Sequence, residues 1–166
     1  VYTIWLKRKT PQNIVIGGAS GALPPVIGWT IATNSISIEP LTYFFIIFLW
    51  TPSHFWALSL YKVQDYKKAN IPMMPIANGI ESTKKNIFIY SLLMLPAVSL
   101  PYFVGFVGEV FLLATLILTF YYNFLCYQLY SYKKNKFEIK KAQQIFGYSI
   151  LYLFLIFVLF LIDKLI

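Results

Sequence analysis

Residues 40–61 read Pro40-Leu-Thr-Tyr43-Phe-Phe-Ile-Ile-Phe-Leu-Trp50-Thr-Pro52-Ser-His54-Phe-Trp56-Ala-Leu-Ser-Leu-Tyr61, with no Asp, Glu, Lys or Arg among them. A membrane-spanning helix needs about 20 consecutive, mainly apolar residues, and this stretch meets that length. Four others do so too, at 13–33, 86–107, 110–132 and 144–163. Backbone groups in hydrocarbon must be paired within the spanning segment, and no run alternates as a barrel strand would. The expected fold is therefore all-α: a polytopic transmembrane helical bundle with five spans.

Composition supports lipid as the solvent. Hydrophobic residues make up 58% of the chain and charged residues 12%, with a mean hydropathy of +0.65. Soluble domains have about 45–50% apolar and roughly 25% charged residues. The single cysteine, Cys126, lies in an apolar run, which excludes a disulfide framework or thiolate metal site built by this chain alone. It reads as a small buried or lipid-facing hydrophobe.

The net charge of +8 would suit nucleic acid, but the basic residues punctuate the apolar spans instead of forming one soluble face. Five spans impose an alternation of sides. Leu6 to Gln12, Lys62 to Lys85 and Lys133 to Gln143 fall on one side, while the short turns Asn34 to Glu39 and Gly108-Glu109 fall on the other. Of the 14 basic residues, 13 lie on the first side and only Lys164 on the second. The positive-inside rule makes the first side cytoplasmic and puts the carboxy terminus opposite. The amino end, Val1-Tyr2-Thr-Ile-Trp-Leu6 running into Lys7-Arg8-Lys9, has no initiator Met or signal-type pattern. It reads as the cytoplasmic end of an earlier helix, so residues 1–166 are expected to be the C-terminal portion of one longer membrane domain.

Three features have chemical potential. In the first span, Gly17 and Gly21 are four apart, and Gly18, Gly21, Pro25 and Gly28 repeat at three and four. Such a stripe serves either close helix approach or, with the break at Pro24-Pro25, room for a bulky ligand. In the second span, Trp50, His54, Ala57, Tyr61 and Asp65 share one face if the helix continues. His54 is either a hydrogen-bonded packing residue or a functional group, since polar groups inside a span are costly. In the loop that follows, Asp65 lies near Lys67 and Lys68. This pattern suits Mg²⁺ with a polyphosphate, or else a solvated loop drawn to anionic headgroups. Tyr121, Tyr122, Phe124, Tyr127, Tyr130 and Tyr132 cluster toward one end of the fourth span and read as an interfacial belt.

Two runs, Leu6-Lys7-Arg8-Lys-Thr-Pro-Gln-Asn13-Ile-Val-Ile-Gly17-Gly-Ala-Ser-Gly21-Ala-Leu-Pro24-Pro25-Val-Ile-Gly28-Trp29 and Trp50-Thr-Pro52-Ser-His54-Phe-Trp56-Ala-Leu58, are followed by Asp65-Tyr66 and Ile71-Pro72-Met-Met-Pro75. Together they closely resemble the protohaem IX farnesyltransferase family, the haem O synthases of the UbiA-type intramembrane prenyltransferase superfamily. The resemblance implies about nine spanning helices, of which this chain holds the last five. It also implies transfer of a farnesyl group from farnesyl diphosphate to a vinyl group of haem b, giving haem O and diphosphate. Mg²⁺ is the implied cofactor, held by two acidic motifs; Asp65 matches the second, and the first is expected upstream of Val1, leaving this piece inactive alone.

Lys7 and Arg8 match the basic pair that, with Tyr2, binds diphosphate and together with Asp65 forms the catalytic set. Asn13, His54, Tyr61 and Tyr66 are the further substrate-binding candidates, with His54 as a haem contact and Asn13 as a polar contact at the cytoplasmic mouth. The implied location is the bacterial cytoplasmic (inner) membrane. The implied partners are membrane lipid, haem b, farnesyl diphosphate and haem A synthase or the oxidase assembly machinery, with no nucleic acid. The competing readings are a prenyltransferase with a quinone or chlorophyll-type acceptor, and a non-enzymatic transporter or structural subunit.

Overall fold

The computed structural model describes residues 10–131 and 139–165. Every regular element among them is helical: α1 (Asn13–Ala22), α2 (Pro24–Thr33), α3 (Ile38–Tyr61), α4 (Val63–Lys68), α5 (Met74–Ala77), α6 (Gly79–Phe103), α7 (Glu109–Ser131) and α8 (Ile139–Asp163). Joined as Asn13–Thr33, α1 and α2 make one span, and α3, α6, α7 and α8 complete the five helical stretches long and apolar enough to cross a bilayer. Large apolar side chains point outward, Ile31 being 80% and Ile117 70% exposed. That arrangement is stable only where the surroundings are themselves apolar.

The broken first span follows from its prolines. Pro24 and Pro25 have no N–H to give to the carbonyls of Ser20 and Gly21, so the chain is interrupted at Leu23 and restarts with proline in the first turn of α2. Asn34, with φ 51°, then caps α2 in the left-handed conformation. At the same end of the bundle, where Trp29 meets Phe106 edge-on, Gly105, with φ 76°, turns the chain out of α6. The Asp163 carboxylate accepts from the Gly108 N–H at 3.0 Å, and Lys164 Nζ donates to the Phe106 carbonyl at 2.8 Å, tying the end of α8 to that turn.

At the centre, α3 packs against α1, α6 and α8, while α7 bridges α6 and α8. Hydrogen bonds between helices replace the hydrophobic drive that lipid removes. Tyr122 donates to Ser53 Oγ at 2.8 Å, Thr119 Oγ1 and the Tyr152 hydroxyl are 2.8 Å apart, and the two tyrosine rings stack at 5.1 Å. Tyr122 therefore belongs to the buried core and not to an interfacial belt. Phe124, Tyr121, Tyr127 and Tyr130 remain exposed as a belt requires, and Tyr132 lies outside the described residues. Cys126 is buried beside Tyr122.

Both ends of the third span differ from expectation. The third spanning helix starts at Gly79 instead of 86 and ends at Phe103 instead of 107. Hydropathy marks the lipid-immersed part of a helix, whereas here the helix extends into the polar zone. Thr83 Oγ1 bonds the Gly79 carbonyl at 2.8 Å, and the buried Lys84 pairs with Glu81 at 3.0 Å. The polar segment 62–85 is accordingly not one loop but α4, α5 and the first turns of α6. The second span ends at Tyr61 as expected, and Lys62 (φ −107°, ψ 21°) separates α3 from α4, so the helix does not continue to Asp65.

Candidate functional site

The small-residue face of α1 does two jobs. At Gly18 it permits close approach, because a Cβ there would lie 3.1 Å from Thr51 Cγ2. At Gly17 and Gly21, one turn apart, with Gly18 at its edge, it opens onto a cavity of about 390 Å³ bounded by α1, α3 and the segment from Tyr66 to Met73. Nothing lies within 4 Å of a Cβ built on Gly21. Across from the glycines stand Ile47, Trp50, Thr51 and Phe55 of α3, and Asn13, Tyr66, Ile71 and Met73 complete the enclosure. From Ile47 to Phe55 the α3 wall runs about 12 Å along the helix axis, at ~1.5 Å per residue. The lining is mainly apolar with a few convergent polar groups, and the volume falls in the ~300–1,000 Å³ range of small-molecule sites. Ser20 and Gly21, whose carbonyls lose their helical donors to Pro24 and Pro25, are part of that wall.

Two of the site residues expected from sequence, Asn13 and Tyr66, meet at this cavity. Asn13 is buried, and Tyr66 is half-buried with its phenol pushed above the ordinary value by burial, then by Tyr61 and Asp65. Tyr66 thus stays a hydroxyl donor at neutral pH. Asp65, its neighbour on α4, is exposed and pairs with Lys62 at 3.3 Å. Because the chain bends at Lys62, Asp65 does not continue the face carrying Trp50, His54, Ala57 and Tyr61.

That face packs on α8 instead. Trp50 Nε1 donates to the Ser149 carbonyl at 2.9 Å, His54 Nδ1 lies 2.6 Å from Ser149 Oγ, and Tyr61 meets Phe146 edge-on at 6.0 Å. His54 and Tyr61 do not line the cavity, whereas Trp50 touches both it and α8. Tyr2, Lys7 and Arg8 lie outside the described residues. Sequence reasoning missed Ile47, Thr51, Phe55, Ile71 and Met73 as lining groups. The first three are spaced at four residues on α3, a face adjacent to the one singled out.

Among the described residues no three His, Cys, Asp or Glu side chains cluster tightly enough to hold a metal. Asp65 fits one oxygen ligand of a Mg²⁺ that keeps water and substrate phosphate in its other positions, which is the usual habit of that ion.

A polytopic helical membrane protein with a mostly apolar cavity beneath a polar edge is the class these features define. The sequence matches the UbiA prenyltransferase family over residues 1–151, and the chain belongs to that family. It is 77% identical over 164 residues to the protoheme IX farnesyltransferase of Pelagibacter ubique (strain HTCC1062), covering 99% of this chain and 54% of that protein. It is 51% identical to the protein of the same name from Parvibaculum lavamentivorans, again over 99% of this chain and 52% of the relative. Against the Orientia tsutsugamushi protein of that name identity is 50%, over 98% and 51% of the two. The chain thus spans about half the length of the curated relatives it matches. No solved structure matches it.

Proposed function

We propose that the protein transfers a farnesyl group from farnesyl diphosphate to a vinyl group of haem b, giving haem O and diphosphate. The observation that carries this reading is the 390 Å³ apolar cavity, lined by Asn13 and Tyr66 with Asp65 beside them, in a chain 77% identical to a protoheme IX farnesyltransferase. The isoprenoid chain lies between the glycines of α1 and the Ile47–Phe55 wall, with its diphosphate toward Asn13 and Tyr66. Family membership disfavours the transporter and structural-subunit readings.

Asp65 would hold Mg²⁺, and Lys7 and Arg8, with Tyr2 beside them, would bind the diphosphate oxygens. The ion supplies charge neutralisation at the leaving group when bound. Positive groups fixed where negative charge develops lower the barrier to breaking the allylic C–O bond, whose electron pair leaves with diphosphate. Aromatic faces such as that of Trp50 stabilise the allylic cation, and the mainly apolar lining disfavours water that would trap it early. The vinyl π electrons then form the new C–C bond, and water adds to the resulting cation with loss of a proton. We assign the first acidic motif to the half of the relatives' length that this chain does not span.

Purified complete protein with Mg²⁺ and farnesyl diphosphate is expected to convert haem b and to leave quinone precursors unchanged. Prenylation of a quinone precursor in preference to haem would overturn the reading.

The 13-to-1 charge sorting supports an orientation with α4, α5 and the other basic segments in the cytoplasm of a bacterial cell and the α6–α7 turn outside. In a Cys126→Ala background, an impermeant maleimide should label Glu109→Cys in intact spheroplasts and Lys68→Cys only after permeabilisation. The opposite pattern would invert the orientation.

A further inference from the structure

The cavity between α1 and α3 has a defined outer end. Gly21 is the outermost of its lining residues on the first span, and Ile47 is the outermost on α3. The two helices run in opposite directions with Gly18 close to Thr51, so one turn further out Ala22 comes against the turn of Ile46 and Ile47. Ala22 and Ile46 are both wholly buried, which puts the helices in packed contact at that level. The hydroxyls near this end turn back on the backbone: Thr51 Oγ1 donates to the Ile47 carbonyl and Ser20 Oγ to the Gly17 carbonyl, each at 2.7 Å. The side chain that a substrate tail meets there is therefore the apolar one of Ile47. One turn beyond, at Pro25 and Tyr43, begins a second cleft of about 370 Å³, lined also by Gly28, Trp29, Phe157 and Phe160. Among the described residues the two clefts share no lining group.

The length of the wall can be compared with that of the substrate. A chain of tetrahedral carbons advances ~1.25 Å per bond, from a bond of ~1.5 Å opened to ~111°. An extended farnesyl chain is therefore about 14 Å long, a geranyl chain about 9 Å and a geranylgeranyl chain about 19 Å. Against the wall of about 12 Å from Phe55 to Ile47, farnesyl fits with a slight bend, geranyl leaves the outer end empty, and geranylgeranyl runs into Ile47. We propose that Ile47 sets the isoprenoid chain length, with the packed turn of Ala22 and Ile46 behind it as the stop. This rests on the farnesyl-transfer reading and deepens it by naming the residue that selects the donor. The chemical step is the same for every chain. The allylic C–O bond breaks with its electron pair leaving on diphosphate, the vinyl carbon forms the C–C bond, and water adds as a proton departs. What Ile47 selects is length alone.

The test gives the complete protein haem b, Mg²⁺ and geranyl, farnesyl or geranylgeranyl diphosphate, and measures kcat/KM for each donor. Wild type is expected to favour farnesyl over both of the others. Ile47→Ala opens the way toward the cleft at Tyr43 and is expected to raise the geranylgeranyl-to-farnesyl ratio at least about tenfold, the scale on which a hydrophobic pocket discriminates by size. Ile47→Trp shortens the wall and is expected to raise the geranyl-to-farnesyl ratio by a similar factor. Should Ile47→Trp fold poorly, Ile47→Phe is expected to move the same ratio in the same direction by less. A ratio between donors does not move when a variant merely loses packing. Equal loss with all three chains would therefore make Ile47 a packing residue and overturn the proposal, as would a wild type that takes geranylgeranyl as readily as farnesyl. If wild type transferred no chain to haem, the farnesyl-transfer reading itself would fall, and this proposal with it.

Discussion

Asp65→Ala in the complete protein is expected to lower farnesyl transfer by about 10²–10³-fold, the scale set by removing one preorganised group that stabilises transition-state charge. Membrane insertion and helix content should stay as they are. The two expectations separate because of where Asp65 sits. It lies on the six-residue α4, beyond the end of α3, with its side chain 62% exposed and its ion pair to Lys62 equally open to water. Exposed pairs of that kind contribute ~0–1 kcal/mol, so stability hardly depends on it. A lost carboxylate would instead remove an oxygen ligand from Mg²⁺ next to Tyr66, where the diphosphate is placed. Turnover and circular dichroism on the same preparation decide the matter. Full activity with Mg²⁺ present would remove Asp65 from the site.

The second large effect concerns two glycines three residues apart on α1. Gly21→Leu puts its side chain into the cavity, where a Cβ has no neighbour within 4 Å, so the fold should tolerate it and the isoprenoid should not. Transfer is expected to fall by about 10²-fold, the cost of displacing a bound substrate by roughly 1 Å from its reacting position. Gly18→Leu acts in the opposite way. Its Cβ would press on Thr51 at 3.1 Å and force α1 from α3, with a loss of about 1–3 kcal/mol in resistance to denaturation. Equal loss of stability in both variants would mean that the whole stripe serves helix packing and that the cavity is incidental.

Much of this architecture could be read before any coordinates. The spans followed from apolar length, and the double proline foretold the interruption at Leu23. Asn13 and Tyr66 were named from the resemblance, and they meet across the cavity. The bend at Lys62 was hidden because no Pro or Gly stands there, and a run of residues at helical spacing reads as continuous until a backbone dihedral breaks it. Asp65 would share that face only if the helix continued, and the bend prevents it. Tyr122 looked like one more interfacial tyrosine because its partner, the Ser53 hydroxyl, is 69 residues away in the chain. Ile47, Thr51 and Phe55 escaped notice for a similar reason: an apolar pair flanking a threonine at four-residue spacing is how any packed helix face looks. Ser149 carries no signal of its own; its contacts with His54 and Trp50 of α3 span 95 and 99 residues, and only the fold brings them together.

On the proposed function, the cavity between α1 and α3, bounded by the segment from Tyr66 to Met73, receives the isoprenoid chain. Photo-crosslinking the complete protein with a farnesyl diphosphate analogue carrying a photoreactive group in its tail, followed by peptide mapping, tests it most directly. Labels on Gly17–Gly21 and on Ile47–Phe55, competed away by farnesyl diphosphate, are the predicted result. Competable labels confined to a different cleft, lined by Trp29 of α2 and by Phe157 and Phe160 of α8, would contradict it.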